Sequence, residues 1–522
     1  MYFFCNILKK GIYADGQSSI FYTICKNRSS GPSRVLEPVL PSEESMSKYD
    51  LVVIGAGPGG YVAAIRAARL GLKTAVVERE NLGGVCLNWG CIPTKALLES
   101  AHLFEKIRFA DRAGIRVQGA EADFGAIIQR SRGVADQMSK GIDYLMRKNK
   151  IDVIRGHANF IDSTHISVSR EGEGNQTVEA RRFIIAVGAR ARSLPGIEID
   201  ENRILSYRKA MLLEERPDRL CIVGAGAIGI EYADFYRSMG SEVTILEALP
   251  SILPVEDEEI SALLTETFRN RGIVIHTGAR ISQTSSHEGG IDVVFTDQAG
   301  EERRESFDRL LLAAGITANT DRLNLEAVHV DLDRDRIRVN RSFQSSNPTI
   351  YAIGDCIPGP ALAHVASHEA IHAAEAVYLS LRESRVIKTG PEIEYEPMNY
   401  DWIPSCTYCH PEVASAGLTE KKAKERGYDV LVGRFPFRAL GRARASGESE
   451  GFVKVVVDKA YHRLLGIHII GSHATEMLSE VVVAAEGELL ADTLARTIHA
   501  HPTLSEGIME AAAEAIGQAI HI

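Results

Sequence analysis

The sequence predicts an α/β chain: two βαβ units of one design, followed by a C-terminal α+β region. Three observations predict it. A strand, a glycine loop, a helix and a second strand ending in glutamate follow one another over residues 49–78. The same series recurs over residues 219–247, and beyond residue 394 strand-like runs give way to helical ones.

In the first unit, Tyr49–Ile54 is a short apolar run suited to a buried parallel strand. It leads into Gly55-Ala56-Gly57-Pro58-Gly59-Gly60, the Ala-rich helical stretch Val62–Leu70, and a strand over Leu72–Val77 ending at Glu78. This is the order of a Rossmann-like dinucleotide-binding fold. Gly55 permits the tight turn, Gly57 lets a pyrophosphate reach the backbone, and Gly60 lets helix and strand pack closely. The helix N-terminus faces the phosphates, and Glu78 is placed to accept bonds from a ribose diol.

The second unit repeats the construction. Arg219–Val223 is a strand, Gly224-Ala225-Gly226-Ala227-Ile228-Gly229 the loop, and a helix runs through about Met239. The strand Glu242–Leu246 then ends at Glu247. One Gly-x-Gly-x-x-Gly is weak evidence, but two copies in the right setting are not. Two nucleotide sites in one chain suggest electron transfer between two dinucleotides, with a tightly held flavin a candidate for one. A carboxylate at Glu247 repels a 2′-phosphate and favours NAD over NADP, and residues 248–252 supply no arginine to reverse that preference.

Bulk properties exclude several classes. A chain of 522 residues divides into three or four domains. The 45% hydrophobic and 25% charged content is that of an ordinary globular protein, and a net charge of -10 argues against nucleic acid or anionic lipid as partners. No apolar run is long enough to span a membrane. Eight cysteines are too few for a secreted disulfide scaffold, so a reducing compartment is expected. Residues 1–47 show no sustained period. They read as a disordered extension, a start-site artefact or a targeting peptide, the last on the bias of Lys9, Lys10, Lys26, Arg28 and Arg34.

The most informative segment is Gly83-Gly84-Val85-Cys86-Leu87-Asn88-Trp89-Gly90-Cys91-Ile92-Pro93-Thr94-Lys95. In a regular helix, cysteines five apart have Cα atoms about 8–9 Å apart, beyond the ~7 Å that a disulfide tolerates. If Cys86 and Cys91 pair, the helix must break between them, with Gly90 the point of departure and the better-formed helix running from Ala96. Cysteines at a helix entrance gain thiolate character. In isolation the two could equally be small buried hydrophobes; beside a dinucleotide loop, a redox pair is the stronger reading.

These motifs together resemble the pyridine nucleotide–disulfide oxidoreductases, and the interior Leu-Asn-Trp-Gly resembles the family's lipoamide branch. The resemblance runs from about Tyr49 to the C-terminus. Ile350-Tyr351-Ala352-Ile353-Gly354-Asp355 resembles the family's second flavin motif, and His499-Ala500-His501-Pro502-Thr503-Leu504-Ser505-Glu506 its C-terminal motif. The resemblance implies oxidation of a dihydrolipoyl dithiol with reduction of NAD, through FAD and a redox-active Cys86–Cys91 disulfide. A mercuric, glutathione-like or coenzyme A disulfide reductase is the alternative within the family. A redox-silent assembly subunit is the alternative outside it.

Roles follow from the same resemblance. Gly55, Gly57, Gly60, Glu78, Lys95, Gly188 and Asp355 belong to the FAD site, with Glu231 the partner of Lys95. Gly224, Gly226, Gly229, Glu247 and Gly315 belong to the NAD site. Cys91 faces the flavin, Cys86 exchanges with substrate, His501 is the base and Glu506 orients it. Glu506 also fits a capping box with Thr503, and His499 reads as structural. Ala186-Val187-Gly188 and Gly315-Ile316-Thr317-Ala318-Asn319 depart from the usual family pattern. Cys406 and Cys409 read as packed cysteines, and no metal is expected.

The implied domains are an N-terminal extension (1–47), an FAD-binding part (48–192), an NAD-binding domain (193–318), a central domain completing the FAD site (319–393) and a dimerisation domain (394–522). The expected partners are a second copy, giving a homodimer with shared active sites, and lipoyl domains of 2-oxo acid dehydrogenase or glycine cleavage complexes. The expected location is cytoplasmic, or the mitochondrial matrix in a eukaryote.

Overall fold

The computed structural model describes residues 49–521 apart from 171 and 173. The readings made for residues 1–47 lie outside the described residues.

Two parallel sheets carry the glycine loops. In the first, the order is Asp152–Arg155, Thr74–Glu78, Tyr49–Ile54 and Gln176–Ile185. Ile350–Ala352 adds in parallel to Gln176–Ile185, which also closes an antiparallel meander with His157–Phe160 and His165–Ser169. The second sheet reads Val274–Thr277, Glu242–Glu247, Arg219–Val223, Arg309–Leu312 and Ile204–Leu205. It too has a meander, built from Arg280–His287, Gly290–Thr296 and Glu302–Phe307. The duplication seen in the motifs therefore extends to the whole modules. Strands such as Leu51–Ile54 are buried on both faces, which explains why they read as unbroken apolar runs.

The modules are joined by a short antiparallel crossover, Ala189–Ala191 against Ile316–Ala318. Gly188 and Gly315 flank it: the Gly188 carbonyl accepts from Asn319 N at 3.0 Å, and that of Gly315 from Arg192 N at 3.2 Å.

The C-terminal region is an antiparallel sheet in the order Ser405–Thr407, Glu412–Gly417, Leu464–Gly471, Gly451–Asp458, Val430–Pro436. Helices Ala474–Glu486 and Glu506–Ala515 share its apolar core. The last helix stops at Ala515, where Gly517 takes a left-handed conformation and Gln518 N bonds back to the Ala513 carbonyl. The helix Ala491–Arg496 was not foreseen, its six residues being too short for a period to register.

A buried charge ties this region to the second module. Lys454, 2% exposed, places Nζ 2.9 Å from Asp257 Oδ1, 2.6 Å from Glu259 Oε1 and 2.9 Å from Glu420 Oε2. Asp257 also caps the helix Glu258–Asn270 by accepting from Glu259 N.

Candidate active site

The two glycine loops solve one steric problem twice. Gly55 and Gly224 both have φ of +101°, and a Cβ at either would lie within 2.6 Å of the carbonyl oxygen of Ala186 or Ala313. A Cβ at Gly60 or Gly229 would strike the carbonyl of Gly55 or Gly224 at 1.9 or 2.0 Å. The middle glycines differ. Gly226 has no protein atom within 4 Å of its Cβ position, and Gly57 has only Gly84 Cα at 3.9 Å. The space before each helix N-terminus is thus open to a phosphate group, and the first amides of Pro58–Arg69 and Ala227–Ser238 face it.

The terminal acids are held alike. Glu78 accepts from Ala56 N and Glu80 N, both at 2.7 Å, and Glu247 from Ala225 N at 2.6 Å and Leu249 N at 2.8 Å. Each carboxylate is buried and anchored by one amide per oxygen, which leaves a second lone pair on each oxygen for a ribose hydroxyl.

The cysteine segment grows directly out of the first loop. Gly83 N donates to the Ala56 carbonyl, and Gly84 packs so closely on Gly57 that a Cβ there would lie 2.6 Å from Gly57 Cα. The helix Gly84–Trp89 carries Cys86; a new helix, Cys91–Arg108, starts at Cys91 itself rather than at Ala96. Gly90 stands between them outside the helical region, where the spacing required a break. Both cysteines are free thiols, and they are hydrogen-bonded to each other.

The pair is electrically asymmetric. Cys91 is held below the usual thiol range by the hydrogen bond from Cys86 and by the nearby Lys95 ammonium. Cys86 is pushed well up, first by that same bond and then by burial. The two shifts run in opposite directions, and the Lys95 ammonium favours negative charge at Cys91.

Lys95 reaches Glu231, with Nζ 2.8 Å from each carboxylate oxygen. Tyr408, from the C-terminal region, completes this arrangement: its N–H donates to Glu231 Oε1 at 3.0 Å, and its ring lies 4.4 Å from the Lys95 ammonium. Trp89 is clamped between the guanidinium groups of Arg132 and Arg208, 4.5 and 4.8 Å from its ring. Neither Tyr408 nor the arginines could be found from the sequence, because no spacing links them to the cysteines.

Asp355 lies in a 3-10 turn, Gly354–Cys356, three residues past the strand Ile350–Ala352. Among the described residues its carboxyl has no hydrogen-bond partner, and burial raises its pKa. Glu369 fixes the turn by accepting from Gly354 N at 2.7 Å and from the Tyr400 hydroxyl at 2.7 Å. Two open phosphate cradles, two anchored acids and a half-buried carboxyl without a hydrogen bond fit two dinucleotide cofactors.

His501 Nδ1 lies 2.8 Å from Glu506 Oε1, and Glu506 Oε2 accepts from Thr503 N at 2.8 Å. Only half of the capping box forms, since the Thr503 hydroxyl donates to the Ala500 carbonyl instead. The His501 side chain is 77% exposed, and among the described residues no hydrogen bond or ion pair joins it to either cysteine. His499 is instead packed down, with Nδ1 2.8 Å from the Thr497 carbonyl. Cys409 is buried with Sγ 3.1 Å from the Pro411 carbonyl, and burial pushes Cys406 up to about 12. No cluster of metal-ligating side chains occurs among the described residues.

Residues 49–370 match the family model described as pyridine nucleotide-disulphide oxidoreductase, and residues 403–512 match the dimerisation domain of that family. The chain belongs to the pyridine nucleotide-disulphide oxidoreductase family. Similar members include dihydrolipoyl dehydrogenases from Rhizobium etli, 42% identical over 91% of this chain and 99% of the relative, and from Bacillus subtilis, with the same three figures. The mitochondrial dihydrolipoyl dehydrogenase 1 of Arabidopsis thaliana is 37% identical over 96% of this chain and 98% of the relative. Among solved structures, LpdA of Mycobacterium tuberculosis superposes with a TM-score of 0.80 at 28% identity, covering 89% of this chain and 99% of its own. An HOCl-induced flavoprotein disulfide reductase from Escherichia coli, in a Cu(II) complex, gives 0.78 at 28% identity over 90% and 100%. The family's cofactors, FAD and NAD, agree with the two cradles. Among the described residues, no helix of this oxidoreductase is long and apolar enough to cross a membrane.

Proposed function

We infer that the chain is an FAD-dependent dihydrolipoyl dehydrogenase, oxidising a dihydrolipoyl dithiol to its disulfide while NAD is reduced. The observation that carries this reading is the polarised Cys86–Cys91 pair, seated on the first glycine loop beside Lys95 and Glu231. The 42% identity to dihydrolipoyl dehydrogenases over nearly the full length supports the dithiol rather than glutathione, mercuric ion or coenzyme A disulfide as the substrate.

The chemistry begins with the pair as a disulfide. His501 takes the proton of one substrate thiol, and the resulting thiolate attacks Cys86 Sγ, expelling Cys91 as thiolate. The second substrate thiol then attacks the substrate sulfur of that mixed disulfide, its proton passing to Cys86 as that sulfur leaves and the ring closes. Cys86 therefore ends protonated, in keeping with the upward shift of its pKa. Glu506 holds the ring of His501 and stabilises the imidazolium. Lys95 keeps negative charge on Cys91. FAD, when bound, supplies the two-electron relay from the Cys91 thiolate to NAD. Gly55, Gly57, Gly60, Glu78, Gly188 and Asp355 would hold it, and Gly224, Gly226, Gly229, Glu247 and Gly315 would hold NAD.

The exposure of His501, away from its own cysteines, supports an active site shared across a homodimer, with the base supplied to the partner's cysteines. The proposed location is the cytoplasm, or the mitochondrial matrix in a eukaryote, with lipoyl domains of 2-oxo acid dehydrogenase or glycine cleavage complexes as substrates. The same proposal divides residues 48–192 and 319–393 to FAD, 193–318 to NAD and 394–522 to dimerisation.

Steady-state turnover tests the reading. Rapid oxidation of dihydrolipoamide with NAD, far slower with NADP, is the expected result. Faster reduction of oxidised glutathione by NADPH would overturn it.

A further inference from the structure

Glu231 is the first of two carboxylates on one face of the helix Ala227–Ser238, and the second is Asp234. Glu231 bridges Lys95, on the helix that begins at Cys91, to the amide of Tyr408. One turn further on, Asp234 does the same: Oδ2 lies 2.9 Å from His102 Nε2 on that cysteine helix and accepts from the His410 amide at 2.8 Å. The two links form parallel rungs joining the cysteine helix, the second module and the C-terminal strand segment.

The second rung is more deeply buried than the first. Asp234 is 0% exposed, with Arg271 Nη1 2.6 Å from its Oδ1. Arg271 also reaches Glu105 at 2.9 Å on the cysteine helix and donates to the His410 carbonyl at 2.9 Å. The groups facing His102 are thus Asp234, Glu105, Arg271 and His410, whose ring centroid lies 5.3 Å from its own. Burial alone would neutralise Asp234, yet its carboxyl stays ionised, lowered to about 2 by Arg271 and His102.

We propose that Asp234 is a positioning residue for the reaction: with His102 and His410 it sets the register of the helix that presents Cys91 and Lys95. The Cys91 and Lys95 side chains sit on the first two turns of that helix, and His102 on the fourth. A rigid helix held at Lys95 alone can pivot, whereas one held at Lys95, at His102 and, through Arg271, at Glu105 cannot. Only a carboxylate suits this place, because Oδ2 serves two donors while Oδ1 faces a guanidinium; an amide would turn its NH₂ toward one of them. The inference rests on the dithiol–NAD reading of the site.

The test compares the wild-type holoenzyme with Asp234→Asn and His102→Gln, each checked for flavin content and dimer mass. The expected result is a loss of about tenfold in kcat for dihydrolipoamide with NAD, the scale of a sub-ångström misplacement. With it goes at least partial loss of the long-wavelength thiolate–flavin absorbance on two-electron reduction, at unchanged KM for NAD. Variants that keep flavin and show the wild-type band and kcat would overturn the inference. A wild-type enzyme that fails to oxidise dihydrolipoamide would instead overturn the reading beneath it. Should Asp234→Asn not fold, His102→Gln decides alone, since it alters the His102 contact while leaving Asp234 paired to Arg271 and Arg271 to Glu105.

Discussion

Glu506 divides its carboxylate between two tasks: Oε1 lies 2.8 Å from His501 Nδ1, and Oε2 accepts the Thr503 amide at 2.8 Å. Capping and orientation of the base, which looked like rival roles in the sequence, are performed together. Glu506→Gln therefore loses both charge support for the imidazolium and part of the helix start. The expected fall in kcat is about 10- to 100-fold, with a stability loss of about 1 kcal/mol read from denaturant unfolding.

Substituting His501 itself is expected to cost more. His501→Gln should lower turnover by about 10² to 10⁴, the range for losing a general base. His499→Gln should lower it far less, because that ring serves a backbone carbonyl. Equal losses in the two variants, measured in steady-state assays, would remove His501 from the mechanism.

The Lys95–Glu231 pair makes an asymmetric prediction. Lys95→Met strands a buried carboxylate with only the Tyr408 amide for support, whereas Glu231→Gln leaves a half-exposed ammonium that water can reach. The first variant should lose about 3 kcal/mol and the second distinctly less. Urea unfolding of the two proteins reads the difference directly.

The glycine loops separate folding from binding. Gly229→Ala drives a methyl onto the Gly224 carbonyl and should destabilise the second module, lowering Tm by several degrees. Gly226→Ala meets no protein atom, so its Tm should match wild type while the KM for NAD rises. A lowered Tm for both would mean that the space beside Gly226 is not reserved for a ligand.

Stability should also depend on pH through the Asp234–His102 pair. The folded pKa of Asp234 is depressed, so its contribution is complete above the ordinary aspartate value and is lost as pH falls towards about 2. The His102 pKa is raised by Asp234, so its contribution is complete below the ordinary histidine value and fades as pH climbs through the raised one. Thermal unfolding across this range should show both limbs in the wild type, with the acid limb shallower in Asp234→Asn.

Much of the architecture was legible because it rests on local rules. The two glycine loops announce themselves through steric demands that only glycine meets, and the break at Gly90 follows from helix geometry alone. Lys95, Glu231, His501 and Glu506 came into view through resemblance, since nothing in their spacing ties them together. Tyr408, Asp234, His102 and Arg271 were missed altogether. Their meeting depends on how three elements distant in sequence pack, and a buried aspartate in an amphipathic helix looks no different from one facing water. Asp355 came into view through resemblance, but the 3-10 turn that carries it did not, because three residues leave no periodic trace.

The ammonium of Lys454, sealed between one sheet and the acids of another module, bears on how the molecule comes apart. Pulling the C-terminal sheet away would leave Asp257 and Glu259 facing one another without their cation, and Lys454 with Glu420 as its one remaining carboxylate. Neither half tolerates that in the dry state, so peeling the domains apart while both stay folded is the costly route. Calorimetry should accordingly record the second module and the C-terminal sheet melting in a single endotherm, and Lys454→Met should split it in two.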